Sequence, residues 1–112
     1  MKTTTFTTIL STGEVLTGTV ERVAQYWAYN PVDYARVELT GDRTKLHFSR
    51  DLHSDNEVSE DLYVDTLDEQ GRVVARDLID VSGGRAHHVD LDAAGEWGEI
   101  VRRALAAVEA VA

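Results

Sequence analysis

Hydrophobic and polar residues alternate most regularly between positions 34 and 49. Ala35, Val37 and Leu39 take one side and Tyr34, Arg36 and Glu38 the other, and Leu46 and Phe48 repeat the apolar set against Lys45, His47 and Ser49. Successive side chains of a strand point to opposite faces, so two such runs around Thr40-Gly41-Asp42-Arg43 predict a half-buried antiparallel hairpin. A second hairpin precedes it. Residues 3–10 are rich in β-branched side chains, with Phe6, Thr8 and Leu10 on one face. Ser11-Thr12-Gly13-Glu14 then places a glycine where a short hairpin loop needs positive φ. Residues 15–29 read as the returning strand, with Gly18 suited to a bulge or bend. Val20, Val23, Ala24 and Trp27 also fit helical spacing, with Thr19 as N-cap and Pro31 as stop. Over 19–29 the strand is preferred, because Tyr, Trp and Val cluster there.

The acidic segment 51–60 has no periodicity and reads as a loop. Residues 62–67 and 72–79 make a further strand pair around Asp68-Glu69-Gln70-Gly71, with Gly71 where a type I turn plus bulge demands it. Ser82-Gly83-Gly84 breaks the chain, and 87–91 reads as a last short strand. The end is helical: Trp97, Ile100, Val101, Ala104, Val108 and Val111 lie on one stripe, with Leu105 beside it. Asp92 is the expected N-cap, Glu96 and Glu99 precede Arg102 and Arg103 in the order that suits the helix dipole, and Glu99 and Arg103 form an i,i+4 pair. A helix this short is marginal alone, so its stripe must pack on the sheet. The expectation is an α+β fold, a single domain over 1–112. It is an antiparallel β-meander or small barrel of about six strands (β-rich 1–91) with one C-terminal α-helix, about 93–111, packed on it.

Composition narrows the function more than the fold. A chain of 112 residues suits one domain with one modest core. It has no cysteine, which removes disulfides, thiolate metal sites and a cysteine nucleophile. No run approaches the roughly 18 apolar residues of a membrane span, and the Thr-rich start lacks the apolar region of a signal peptide. A soluble, cytoplasmic protein is expected. The net charge of −9 disfavours direct contact with nucleic acid or an anionic membrane and favours basic partners. That charge is uneven: 1–50 hold five acids and six bases, whereas 51–112 hold fifteen acids and five bases. Within 51–69 stand eight carboxylates, Asp51, Asp55, Glu57, Glu60, Asp61, Asp65, Asp68 and Glu69, and no Lys or Arg.

Sequence motifs for chemistry are weak. His88, Asp90 and Asp92 would share a strand face and suit Zn, Mn or Fe, with His87 as a spare. The reading preferred here makes Asp92 a cap and Asp90 solvated, with no metal. Asp51, His53, Asp55 and Glu57 match a calcium loop in oxygen count, but Asn56 and Leu62 stand where an EF-hand needs Gly and Glu. Ser82-Gly83-Gly84-Arg85 lacks the Lys and the strand–loop–helix setting of a phosphate loop and reads as a turn. Nothing resembles a nucleophile elbow. No catalytic residue and no cofactor are therefore expected. Arg36, Arg43, Lys45 and Arg50, offset by Glu38 and Asp42, read as the solvated face of the central hairpin. Tyr26, Trp27, Tyr29 and Tyr34 gather four of the eight aromatics around Asn30-Pro31, a secondary candidate for contact with a ligand or structural partner.

The leading expectation is a non-enzymatic interaction protein whose acidic residues dock on a basic, nucleic-acid-binding protein. Carboxylates spaced along a loop and strand present a field like that of a phosphate backbone. Phage or mobile-element anti-defence inhibitors and immunity proteins share the small size, acidity and lack of catalytic motifs, an analogy of size and charge alone.

Overall fold

The computed structural model describes residues 1–25, 31–53, 57–83 and 86–112. The alternating segments become β1 (Lys2–Ile9), β2 (Val15–Gln25), β3 (Val32–Thr40), β4 (Thr44–Leu52), β5 (Val58–Leu67) and β6 (Val73–Asp80), followed by α1 (Glu96–Glu109). They form one sheet in chain order, every neighbour antiparallel, so the meander is open and has two edges, β1 and β6. Residues 15–25 are strand, and the helical alternative is overturned there; 26–29 lie outside the described residues.

The core sits on one face of the sheet. Leu16 and Val20 from β2, Ala35, Val37 and Leu39 from β3, Leu46 and Phe48 from β4 and Leu62 from β5 meet Ile100, Val101, Ala104 and Val108 from α1. Val37 faces Phe48, which faces Leu62, so one residue per strand passes the apolar row across three strands. Trp97, Leu105 and Phe6 pack around this set, partly buried. The helix lies across β1, β2 and β3. Beyond it Val89, Leu91 and Ala94, from the segment before α1, continue the cover.

The turns follow the sequence reading. Gly13 and Gly71 stand at φ 92 and φ 80, left-handed geometry that a glycine adopts without a Cβ clash. Gly18 differs from expectation. It sits in unbroken register between Phe6 and Leu39, where a Cβ would lie 1.8 Å from the Glu38 carbonyl oxygen, so close strand approach and not a bulge requires it.

Three boundaries move. The acidic segment 51–60 is strand at 51–52 and 58–60, because Asp51 pairs with Ser59 and Leu52 with Val58, and 54–56 lie outside the described residues. Strand pairing overrides the lack of apolar alternation there. The expected strand at 87–91 is one parallel bridge, His87 to Ser59, with the His87 N–H bonded to the Val58 carbonyl and the Glu60 N–H to the His87 carbonyl. The helix starts at Glu96, with Gly95 as N-cap and no side-chain cap. A Cβ on Gly98 would stand 1.9 Å from the Leu91 carbonyl oxygen, so the incoming segment lies directly on the first turns and sets where the helix can begin. Asp92 turns instead to Arg102. No base occupies the last turn; Arg103 reaches back to the Thr8 hydroxyl at 3.2 Å and over the Phe6 ring.

Phe48 is 1% exposed at the centre of this core. Phe48→Ala is expected to cost about 3–5 kcal/mol in urea unfolding, as emptied aromatic core sites do. A loss under about 1 kcal/mol would mean that the alternation does not mark the core.

Candidate interaction surface

Alternation places charges as well as apolar groups. Arg22 has the parity of Leu16 and Val20, Asp33 that of Ala35 and Val37, Arg50 that of Leu46 and Phe48, and Glu60 that of Leu62. All four therefore point to the core side, at the end of the sheet where β2 ends and β3 begins. Asp33, 1% exposed, takes Arg22 on one oxygen and Arg50 on the other at 2.8 Å. Arg50 bridges on to Glu60 at 3.1 Å. Glu60 also accepts the Val89 N–H at 2.9 Å and faces His88 at 3.3 Å, and Arg22 reaches Glu109 of the helix at 3.3 Å. The result is a row of alternating charge along the core. Sequence reading assigned Arg50 to the solvated face; the parity it shares with Leu46 and Phe48 was the signal that places it inside.

The opposite face carries a polar ladder. Tyr34 donates to Glu21 at 3.2 Å and lies under the Arg36 guanidinium. Arg36 pairs with Asp51 at 3.2 Å, and Glu38 contacts His47, which stacks on Tyr63 at 4.4 Å. Arg76 covers the other side of Tyr63 and clamps Asp65 with bonds of 2.7 and 3.0 Å.

The carboxylates of 51–69 are thus divided, not gathered. Glu60 is on the core side, and Asp51, Asp61 and Asp65 are on the opposite face. Asp51 and Asp65 are in ion pairs, and Asp61 accepts the Ser82 N–H at 2.6 Å. Asp68 holds its own turn through the N–H groups of Gln70 and Arg72, at 2.9 Å each. Glu57 and Glu69 are exposed, and Asp55 lies outside the described residues. So does the aromatic group Tyr26, Trp27 and Tyr29, and so do Gly84 and Arg85 of the glycine turn. The expected trio His88, Asp90 and Asp92 diverges. His88 faces Glu60, Asp90 accepts the Ala93 N–H at 3.2 Å, and Asp92 pairs with Arg102. Among the described residues no three His, Asp or Glu side chains come together as metal ligands.

One surface stands out from this internal use. Every residue of β6 from Val73 to Leu78 is exposed, although the strand pairs with β5 on one side at every position but Val74 and Ile79. Val74 is 62% exposed and Leu78 61%, with Val73 and Val81 also open. Edge strands ordinarily bury one face; this one is open on both from Val73 to Leu78, and Ile79 near its end packs against the core. The bases here are engaged, Arg76 of β6 by Asp65 and Arg72 of the preceding turn by Asp68. Exposed Glu69 and Asp77 border the apolar residues. Exposed apolar side chains interspersed with exposed acids are the composition of a docking surface.

Two buried or half-buried carboxylates tie this region to pH. The Arg76 hydrogen bonds, against the opposing effect of burial, hold Asp65 below the ordinary carboxylate range. Burial pulls Asp80 upward, but the Asp90 N–H and the His87 ring outweigh it and leave Asp80 lowered. A carboxylate lowered in the folded state stabilises above its unfolded value, about 3.9, and that stability is lost as pH falls through the folded value. Stability in urea should therefore drop between about pH 5 and pH 2, and Asp65→Asn should lower it at pH 7 while flattening the drop. An unchanged acid slope in the variant would contradict the pairing. Comparison with known proteins places no relative beside this chain: no family model, no curated protein and no solved structure matches it.

Proposed function

We propose that the protein is a non-enzymatic interaction module that docks, through the β6 edge and its neighbouring acids, on a basic protein surface. The observation that carries this reading is a strand open on both faces from Val73 to Leu78, with Val73, Val74, Leu78 and Asp77 exposed, and Glu69 exposed in the turn before it. Apolar residues at the centre of such a patch supply most of the binding energy, and the charges around it speed encounter. A net charge of −9 adds long-range attraction to any cationic partner. Partners with exposed Lys/Arg grooves are typically nucleic-acid-binding proteins, so occupying the groove makes this chain an inhibitor by competition.

The use of Glu60, Asp61 and Asp65 inside the fold moves the functional charges away from the middle of 51–69. Reversing those three should unfold the protein, because each leaves its buried or half-buried partners unmatched. Glu69→Lys with Asp77→Lys should keep the melting temperature and slow capture of the basic partner by about tenfold at about 50 mM salt. Val74→Ser with Leu78→Ser should weaken capture without changing its salt dependence. Duplex DNA should compete with the wild type for the captured partner. A charge-reversed protein that associates at the wild-type rate in low salt would overturn the assignment of β6.

A further inference from the structure

The two edges of the sheet are built differently. β6 pairs with β5 through two register shifts, so Val74 and Ile79 have no opposite residue and the edge ladder is broken near both ends. Such bulges block the addition of another strand. β1 has none: its eight residues run in unbroken register against β2, from Lys2 opposite Arg22 to Ile9 opposite Val15.

Backbone bonding fixes which groups this edge offers. Leu10 donates to the Glu14 carbonyl and its own carbonyl accepts from Gly13, so Leu10 bonds toward β2. Bonding alternates along an antiparallel strand, so the even residues of β1 are satisfied by β2. Thr3, Thr5, Thr7 and Ile9 direct both N–H and C=O outward. The bond from Gly41 N–H to the Thr44 carbonyl gives the same phase when counted back through β3 and β2.

We propose that β1 is a self-association edge and that its occupant is a second copy of this chain. A two-fold axis normal to the sheet at Phe6 sets Thr3 opposite Ile9 and Thr5 opposite Thr7 of the other copy, and joins the edges with about eight backbone hydrogen bonds. A second copy meets the requirement by symmetry, because an antiparallel row of alternating donors and acceptors is complementary to itself. Charge selects the same edge. The only charged residue of β1 is Lys2, and residues 1–50 hold five acids against six bases, so two copies of a −9 protein approach here with least repulsion. An exposed apolar residue stands where the copies would meet: Ile9, set opposite Thr3 of the other copy, is 67% exposed. The product is a continuous twelve-strand sheet with the two β6 edges at its far ends, about 50 Å apart at about 4.8 Å per strand. It presents two copies of the surface proposed above to a partner with repeated sites.

Light scattering on the eluting protein, tagged at the C-terminus if at all, reads the mass directly. Twice the 12.4 kDa chain mass is expected, dissociating on dilution. Thr5→Pro removes an outward N–H that bonds nothing in β2 and should give a folded monomer by circular dichroism. Thr4→Pro removes an N–H bonded to β2 and should lower the melting temperature. Thr5→Lys with Thr7→Lys sets like charges opposite each other across the axis and should also give a monomer, with the fold intact. A wild type monomeric at every concentration, or a dimer unaffected by Thr5→Pro and by the double lysine variant, would overturn the proposal. These results do not depend on capture of a basic partner, so the two proposals fail separately.

Discussion

One helix cannot cover six strands. Adjacent strands lie about 4.8 Å apart, so the sheet is about 24 Å across, while a helix with its side chains is about 10 Å wide. α1 accordingly spans β1, β2 and β3 and leaves the rest of the inner face to other material. The segment before the helix supplies Val89, Leu91 and Ala94 to that task, and its path against Gly98 fixes the start of the helix. That cover does not extend to the residues of β6 between Val73 and Leu78. The exposure of that strand is a consequence of coverage, and it creates the surface on which the functional reading rests.

The same shortage of apolar cover bears on the charge row. Where the core thins toward the β2–β3 end, Arg22, Asp33, Arg50 and Glu60 point inward at positions that alternation reserves for apolar residues. Each buried charge carries a desolvation cost of several kcal/mol, and each neighbour of opposite sign offsets it. Such a row adds little net stability over an apolar replacement. It does demand one register, since a one-residue slip of β3 or β4 would turn Asp33 or Arg50 to the opposite face and strand its partners.

Much of this was legible. Period-2 runs identified the central hairpin and Val37, Leu39, Leu46 and Phe48 as core, and the glycines at 13 and 71 marked turns that the structure contains. Helical spacing identified α1 and its buried stripe of Ile100, Val101, Ala104 and Val108. Boundaries failed where tertiary contact decided them. Leu52 and Val58 become strand by pairing with each other, and Asp92 loses its capping role to the passage of Leu91 over Gly98. The acidic stretch misled for a different reason. Composition counts charges without their facing, so Asp65, 2% exposed and clamped by Arg76, counted equally with open Glu69. Extending the inward parity by two residues past Phe48 and two before Ala35 would have shown Arg50 and Asp33 to be internal. No local pattern shows that β6 is bare, because that depends on how far a distant helix reaches.

Native-state hydrogen exchange tests the coverage argument most directly, because it reads each strand's opening separately. If β6 is held by pairing to β5 alone, its amides should exchange by local opening, at a free energy well below that of the central strands. The amides of Val37, Leu39, Leu46 and Phe48 should exchange only with global unfolding. Protection of Ala75 and Asp77 equal to that of β3 and β4 would mean that β6 is covered in solution, and would contradict an open docking strand.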